Sequence, residues 1–278
     1  MERWDDLRYL VAVHKTGTMS GAARLLGANV GTVSRRIDKL TEVLGASPFL
    51  KTPEGWTSNP DMAPLIEAAL SFESQLTTAM NTTRAARHDV PVPLRLGCPP
   101  IMTSLILLPS LSQLQEVLPG VRLTISHHRT SNALGENDLL ITPRLPDKGR
   151  LLTRGIGALR IGFYALRGAP PSEDWVGLEA GMDDTALMQS AERHFGRPPI
   201  LRLDGLDFVA QAIITSALAG PLPALLGDSR PELVPVDTNE PPTEVPFWLC
   251  YHESRRGDPA LAAVTGWITS AFETARSR

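Results

Sequence analysis

The stretch "NVGTVSRRIDKL", residues 29–40, decides how this chain is read. Asn29 is a helix-capping residue, and after it Val33, Ile37, Leu40 and Leu44 follow at the spacing of one apolar helix face. A step of about 100° per residue then turns Gly31, Arg35, Asp38 and Lys39 to the other side, with Thr32 and Ser34 flanking them. Arg35, Arg36 and Lys39 therefore sit on a helix that must bury its opposite face. A solvated basic surface is the plain account of such cations, so the neighbouring sequence has to decide whether they meet a polyanion.

Upstream, Asp5 or Asp6 caps a first helix in which Leu7, Leu10, Val11 and His14 recur, and "TGT" at 16–18 stops it. Thr18 caps a second helix with Ala22, Ala23, Leu25 and Leu26 as its packing surface, and Gly27 ends it just before Asn29. Downstream, "GASPFLKTPEGWTSNP", residues 45–60, holds two short extended pieces, 49–52 and 56–58, punctuated by proline and glycine, which is the pattern of a β-wing. Two short helices with a tight turn, the second exposing Ser and Arg on its leading half, suit a DNA major groove. Ser34 and Arg35 are placed for base edges, and Arg36 and Lys39 for phosphates.

The charge distribution agrees with that division. Up to Pro60 there are eight basic and six acidic residues, whereas the remainder carries 19 basic and 24 acidic, so the net −3 of the chain changes sign along it. At 278 residues and 42% hydrophobic content, two or three folded units are expected. No apolar run is long enough to span a bilayer and "MERWDDLRYL" lacks the order of a signal peptide, so a cytoplasmic location with no membrane partner is the expectation. Cys98 and Cys250 are too few for a disulfide framework and too far apart in sequence for a metal or CxxC motif. They are read as free thiols.

Together, residues 6–60 resemble the winged helix-turn-helix of LysR-type transcriptional regulators, through Leu7, Val11, Thr16-Gly17, Ala22-Ala23, Leu26-Gly27, Val33-Ser34-Arg35, Ile37, Leu40, Leu44-Gly45, Phe49 and Lys51. Lys51 stands where that family usually has arginine. The family commonly opens this helix with Ser-Gln-Pro, whereas here the residues are Asn29-Val30-Gly31. Asn29 keeps the capping role, but Val30 offers a base only an apolar contact, such as to a thymine methyl. The resemblance implies that Asn29, Val30, Gly31, Thr32, Ser34, Arg35, Arg36, Lys39 and Lys51 form a surface for double-stranded operator DNA.

Asn59-Pro60 then opens a long helix, because proline suits the first helical position. Met62, Leu65, Ala69, Phe72, Leu76, Ala79, Thr83 and Ala86 alternate at spacings of 3 and 4, the heptad pattern of a helix seam. Such a stripe either packs on its own chain or pairs with another. In the family it pairs two subunits, so Met62, Leu65, Ala69, Phe72 and Leu76 are expected to dimerise the chain, and "HDVPVP", 88–93, to be a stiff hinge.

From residue 91 strand-like and helical runs alternate, an α/β pattern with largely parallel strands. "LRLG", the helix "IMTSLILLPSLSQLQEVLPG", "VRLTISHH" and "NDLLIT" resemble the first lobe of the family's effector-binding domain, itself like periplasmic solute-binding proteins. The second lobe begins near "LRIGFYALRG" and continues as strand, helix, strand and helix through "ILRLDGLDFVAQAIITSALAGPLPALLGD". The expected organisation is a head at 1–60, a linker at 61–90 and an effector-binding domain at 91–278. Its lobe one comprises 91–161 and 246–278 and its lobe two 162–245, with crossings near Gly162 and Pro246. By position in the family, a small-molecule effector between the lobes would meet Cys98, Pro100, Met102, Thr103, Thr142, Gly205 and Leu206. Between "VRLTISHH" and "NDLLIT" only "RTSNALGE" stands where the family places a helix, so lobe one is trimmed.

The fold class is thus α/β, with a winged helix-turn-helix, a linker helix and a two-lobed domain. The implied partners are DNA, an effector and a second or further copies of the chain. Rival readings are an enzyme or solute-binding domain carrying a DNA-binding head, with Cys98 as nucleophile and His127 or His128 as base, and a thiol sensor built on Cys98 and Cys250. No third orienting group, Gly-rich phosphate loop or metal-ligand cluster accompanies the cysteine. Adjacent histidines on a strand face opposite ways and do not chelate one ion, so neither metal nor cofactor is expected.

Overall fold

The computed structural model describes residues 5–53, 55–85, 91–113, 118, 120–127, 134–146, 150–170, 172–238 and 243–276. The head begins with α1 (Asp5–Thr16), α2 (Met19–Leu26) and α3 (Val30–Leu44). Each boundary has a local chemical cause. The Thr18 hydroxyl accepts from the Gly21 N–H at 2.9 Å, and the Asn29 side chain accepts from Thr32 N–H at 2.7 Å. Gly27 and Gly45 close α2 and α3 in the left-handed conformation. Asp6 is no cap: its buried carboxylate reaches across to Arg36 instead.

β1 (Phe49–Thr52) and β2 (Gly55–Ser58) pair antiparallel as the wing. The wing is sewn to the α1–α2 turn by Trp56 N–H donating to Gly17 O at 2.8 Å. Gly55 lies at φ 139, and a Cβ there would stand 2.6 Å from Gly17 O, so glycine alone fits the approach. Leu10, Val11, Val33, Ile37, Leu40 and Phe49 form the core of the head.

After a 3₁₀ turn at Pro60–Met62, α4 (Ala63–Ala85) runs on as the linker helix. Asn59 caps this start, accepting from Asp61 N–H, and its amide donates to Ser47 O. The heptad stripe divides. Ala69 is buried in the head's core, with Met62 and Leu65 packed against it, while Phe72 and Leu76 are each 51% exposed. The head's core takes in Met62, Leu65, Ile66, Ala69 and Leu70 of the first turns, and the stripe positions at 72 and 76 lie beyond it. Ala86 and positions 88–90 of the expected hinge lie outside the described residues.

β3 (Val92–Cys98) opens the C-terminal domain and pairs in parallel with β4 (Val121–His127) and β5 (Leu139–Thr142). The helix expected at 101–120 is irregular where described. A turn at Pro100–Met102 widens to a π-helix at Thr103–Leu107 and tightens to 3₁₀ at Leu108–Gln113. Pro109 is the cause, since it lacks an N–H and its ring clashes with the carbonyl one turn earlier. Between β4 and β5 residues 134–138 form a turn, whereas positions 128–133, including His128 and most of the trimmed segment, lie outside the described residues.

β6 (Leu151–Leu166) and β11 (Thr243–His252) are the long antiparallel pair that joins the lobes. β5 borders β11 in lobe one; β9 (Gly220–Pro223) and β10 (Leu233–Pro235) border β6 in lobe two. The sheet is therefore mixed rather than largely parallel, because the chain crosses between lobes in opposite directions. β7 (Val176–Leu178) and β8 (Leu201–Leu203) form a separate parallel pair. Helices α5 (Ala186–Phe195), α6 (Leu206–Ser216) and α7 (Ala224–Gly227) belong to lobe two, and α8 (Pro259–Arg276) returns to lobe one, where Trp267 and Phe272 are fully buried.

Candidate nucleic-acid interface and effector cleft

Burying Val33, Ile37 and Leu40 fixes the rotation of α3 and leaves Val30, Gly31, Arg35, Asp38 and Lys39 exposed. Asn29 is exposed at the cap, Thr32 and Ser34 are half-buried beside the ridge, and Ser34 donates weakly to Asp38 at 3.4 Å. Lys51 is exposed on the wing, opposite Trp56 in the β1–β2 register. Val30 is 46% exposed, an apolar group at the leading end of an otherwise polar ridge.

Arg36 departs from expectation. Its guanidinium lies 2.6 Å from Asp6 and over the Tyr9 ring, 5.5 Å from the centroid. This pairing with a buried carboxylate holds the side chain against the head, and breaking it would strand the Asp6 charge.

The residues expected at the effector site separate into two groups. Cys98 and Met102 are buried in the core of lobe one, and Cys98 Sγ lies 3.1 Å from Thr103 Oγ1. Thr142 is buried too; its hydroxyl donates to Arg144 O and accepts from Arg144 N–H, so it serves the turn after β5. These three are buried, Cys98 and Met102 in the core and Thr142 at the turn after β5, rather than open at the surface. Pro100, Thr103, Gly205 and Leu206 are half-buried. Their two segments meet where Ser104 donates to Asp207 at 3.5 Å, a link between lobe one and the first turn of α6. Sequence reasoning named neither residue, and a separation of 103 positions gives it no signal.

Burial raises the pKa of both thiols, that of Cys250 to about 11. Gly97 and Cys250 both register with Leu140, so two strand spacings of about 5 Å each separate them and no bridge forms between Cys98 and Cys250. His127 is exposed at the end of β4, and the described contact of Cys98 Sγ is with Thr103. Neither thiol stands in an activating environment.

Sequence reasoning also missed a polar assembly that joins the linker to lobe one. Asn81 on α4 donates to Asp258 at 2.8 Å, and Arg255 pairs with Asp258 and with Asp138. Nearby, a cavity of about 580 Å³ lies between the head, α4 and lobe one, bordered by His14, Glu67 and His252.

Residues 4–60 match the model of the bacterial regulatory helix-turn-helix proteins of the lysR family, and residues 92–273 that of the LysR substrate binding domain. The chain is 27% identical over 281 residues to the Mau operon transcriptional activator of Paracoccus denitrificans, covering 97% of this chain and 96% of that protein. Among solved structures, full-length OxyR from Pseudomonas aeruginosa has a TM-score of 0.68 at 17% identity, with 98% of each chain covered. ArgP from Mycobacterium tuberculosis gives 0.68 at 16% identity with the same coverage. With one model on the winged head and the other on the two-lobed domain, the chain belongs to the LysR family of DNA-binding transcriptional regulators.

Proposed function

We propose that the protein reads operator DNA with Asn29, Val30, Gly31, Thr32, Ser34, Arg35 and Lys39 on α3 and with Lys51 on the wing. Arg35 and Ser34 supply base contacts, Lys39 and Lys51 supply phosphate contacts, and Val30 lies against an apolar base edge. The observation that carries this reading is the rotation of α3: its apolar face is locked in the head while its polar ridge is open.

Two such heads on one frame read two half-sites, and the exposed Phe72 and Leu76 on α4 provide the surface for that pairing. A homodimer, or a tetramer of two, is the working assembly, acting in the cytoplasm and without catalysing a reaction. A small-molecule effector enters between the lobes at the rim formed by Pro100, Thr103, Ser104, Gly205, Leu206 and Asp207, and changes the angle between lobes and hence the spacing of the heads. The test is a footprint on the chain's own promoter region with Ser34→Ala combined with Arg35→Ala. Loss of the specific footprint with folding intact supports the groove assignment, and an unchanged footprint refutes it.

A further inference from the structure

The cavity between head, linker and lobe one has volume in the range of small-molecule sites. His14 of α1, Ile66, Glu67 and Leu70 of α4, and Leu151 and His252 of lobe one line it. Most charges around it are answered. Lys15 pairs with Glu73, and Arg255 is held by Asp138 and Asp258. Glu67 differs, because one of its carboxylate oxygens is buried without a hydrogen-bond partner.

His252 is short of a partner as well. It is only 7% exposed, and its Nδ1 accepts from Ser254 N–H at 3.3 Å and lies 2.7 Å from Ser254 Oγ, whose hydroxyl can donate to it as well. In the neutral ring the proton then sits on Nε2, and Nε2 is the buried atom left unmet. Burial favours that neutral ring. An acceptor with negative charge and an N–H donor thus border one apolar-walled space, and both are costly to leave unsatisfied.

We propose that this interdomain cavity is a ligand site separate from the cleft between the lobes. It takes a small primary amine or amidine that has an apolar body and a carbonyl or hydroxyl oxygen. The cation meets Glu67, the oxygen accepts from His252 Nε2–H, and the apolar part lies along Ile66, Leu70 and Leu151. An anion is disfavoured, since Lys15 and Arg255 are already committed to Glu73 and Asp138, which leaves Glu67 as the charge that faces the space. A neutral donor would leave the Glu67 charge without a counter-ion.

Because His14 of α1 borders the same space as the α4 and lobe-one contacts, a bound ligand would also bridge the DNA-reading head and the effector domain. That consequence rests on the proposed DNA-reading role; the site itself does not.

The test uses the full chain labelled with ¹⁵N-histidine, titrated with 5-aminopentanamide and 4-(aminomethyl)benzamide and, as uncharged counterparts, pentanamide and 4-methylbenzamide. At least one amine should move the imidazole signals of His14 and His252 and leave that of His194, which stacks on Phe163 in lobe two, in place. The matching amide without the amine, and the same amine on Glu67→Gln, should bind at least about tenfold more weakly, the loss of one charge-assisted contact. Ala63→Trp, which adds an indole at the cavity's exposed edge on α4 without removing a polar group, should weaken the response. No response to either amine up to about 10 mM, beyond any specific affinity worth the name, overturns the proposal, as does equal binding by the uncharged amides or by Glu67→Gln. In a parallel footprint the bound amine should alter protection between half-sites. Binding with an unaltered footprint supports the site and refutes its coupling to DNA.

Discussion

Replacing Arg36 with alanine distinguishes a structural cation from those that face DNA. In the folded head its guanidinium is 2.6 Å from Asp6, the side chains are 28% and 7% exposed, and the cation also covers the Tyr9 ring. Truncation leaves the Asp6 carboxylate buried without its counter-ion, at a cost of about 1–3 kcal/mol, and uncovers the Tyr9 ring. Since Arg36 is partly solvated and the pair is screened, a total near 2 kcal/mol is expected. With a urea dependence of about 2 kcal/mol per molar, the midpoint of the head's unfolding falls by about 1 M. Adding Asp6→Asn should restore about half of that loss, because the stranded charge is then removed. In contrast, the salt dependence of DNA affinity should stay as in the wild type, whereas each lost phosphate contact lowers the slope by about 0.9. Urea titration and fluorescence anisotropy at several salt concentrations measure both. Wild-type stability together with a slope reduced by about one would show that Arg36 reaches the phosphate backbone and that the pair with Asp6 is incidental.

Lys51→Ala should weaken binding to specific and non-specific duplexes alike and lower the salt slope by about 0.9, measured by the same anisotropy titrations; an unchanged slope removes the wing tip from the interface. Phe72→Glu with Leu76→Glu should give monomers by light scattering, and a persisting dimer would place the subunit contact elsewhere. Cys250, its pKa pushed up to about 11 by burial, should react with iodoacetamide at pH 8 at least about 100-fold more slowly in the folded protein than after unfolding. The sign of the linked stability follows: the raised folded pKa contributes below the ordinary thiol value of 9.0 and is lost as pH rises towards 11. Fast labelling of the native state would refute the buried placement.

What the sequence made legible was mainly local chemistry. Thr18, Gly27, Asn29 and Gly45 each act within a few residues of themselves, so the head's helix limits were readable, as were the wing and the alternating elements of lobe two. The destination of Arg36 was not readable, because exposure by helical phase says which way a side chain leaves the axis and not that a carboxylate 30 positions earlier will meet it. The α4 stripe announced a buried face without naming what buries it, and its first turns proved to serve the head. Cys98, Met102 and Thr142 were placed by analogy of position, yet the same strand-end and turn positions are where a core closes and a turn is tied. Asn81, Arg255 and Asp258 carry no motif at all, since their relation exists only after the linker docks on lobe one.

That docking bears on how a ligand signal travels. Asp258 uses one carboxylate oxygen to cap α8, accepting from Ala260 and Leu261 N–H, and the other to accept from Asn81 and Arg255. Arg255 carries the link on to Asp138, which accepts from Arg95 N–H on β3. The charged members all belong to lobe one, and α4 joins them through the Asn81 amide, a hydrogen bond to a charged acceptor worth about 1.5–3 kcal/mol. Lobe two is joined to lobe one through β6 and β11. Opposite Phe247 and Trp248 their register shifts, with Ile156 the extra residue between Gly155 and Gly157, and bulges are where paired strands bend. Gly157 is confined to glycine there, since a Cβ would stand 2.6 Å from the Phe272 ring. The register shift at Gly155–Gly157, opposite Phe247 and Trp248, is thus the irregular point in the strand pair that joins the lobes.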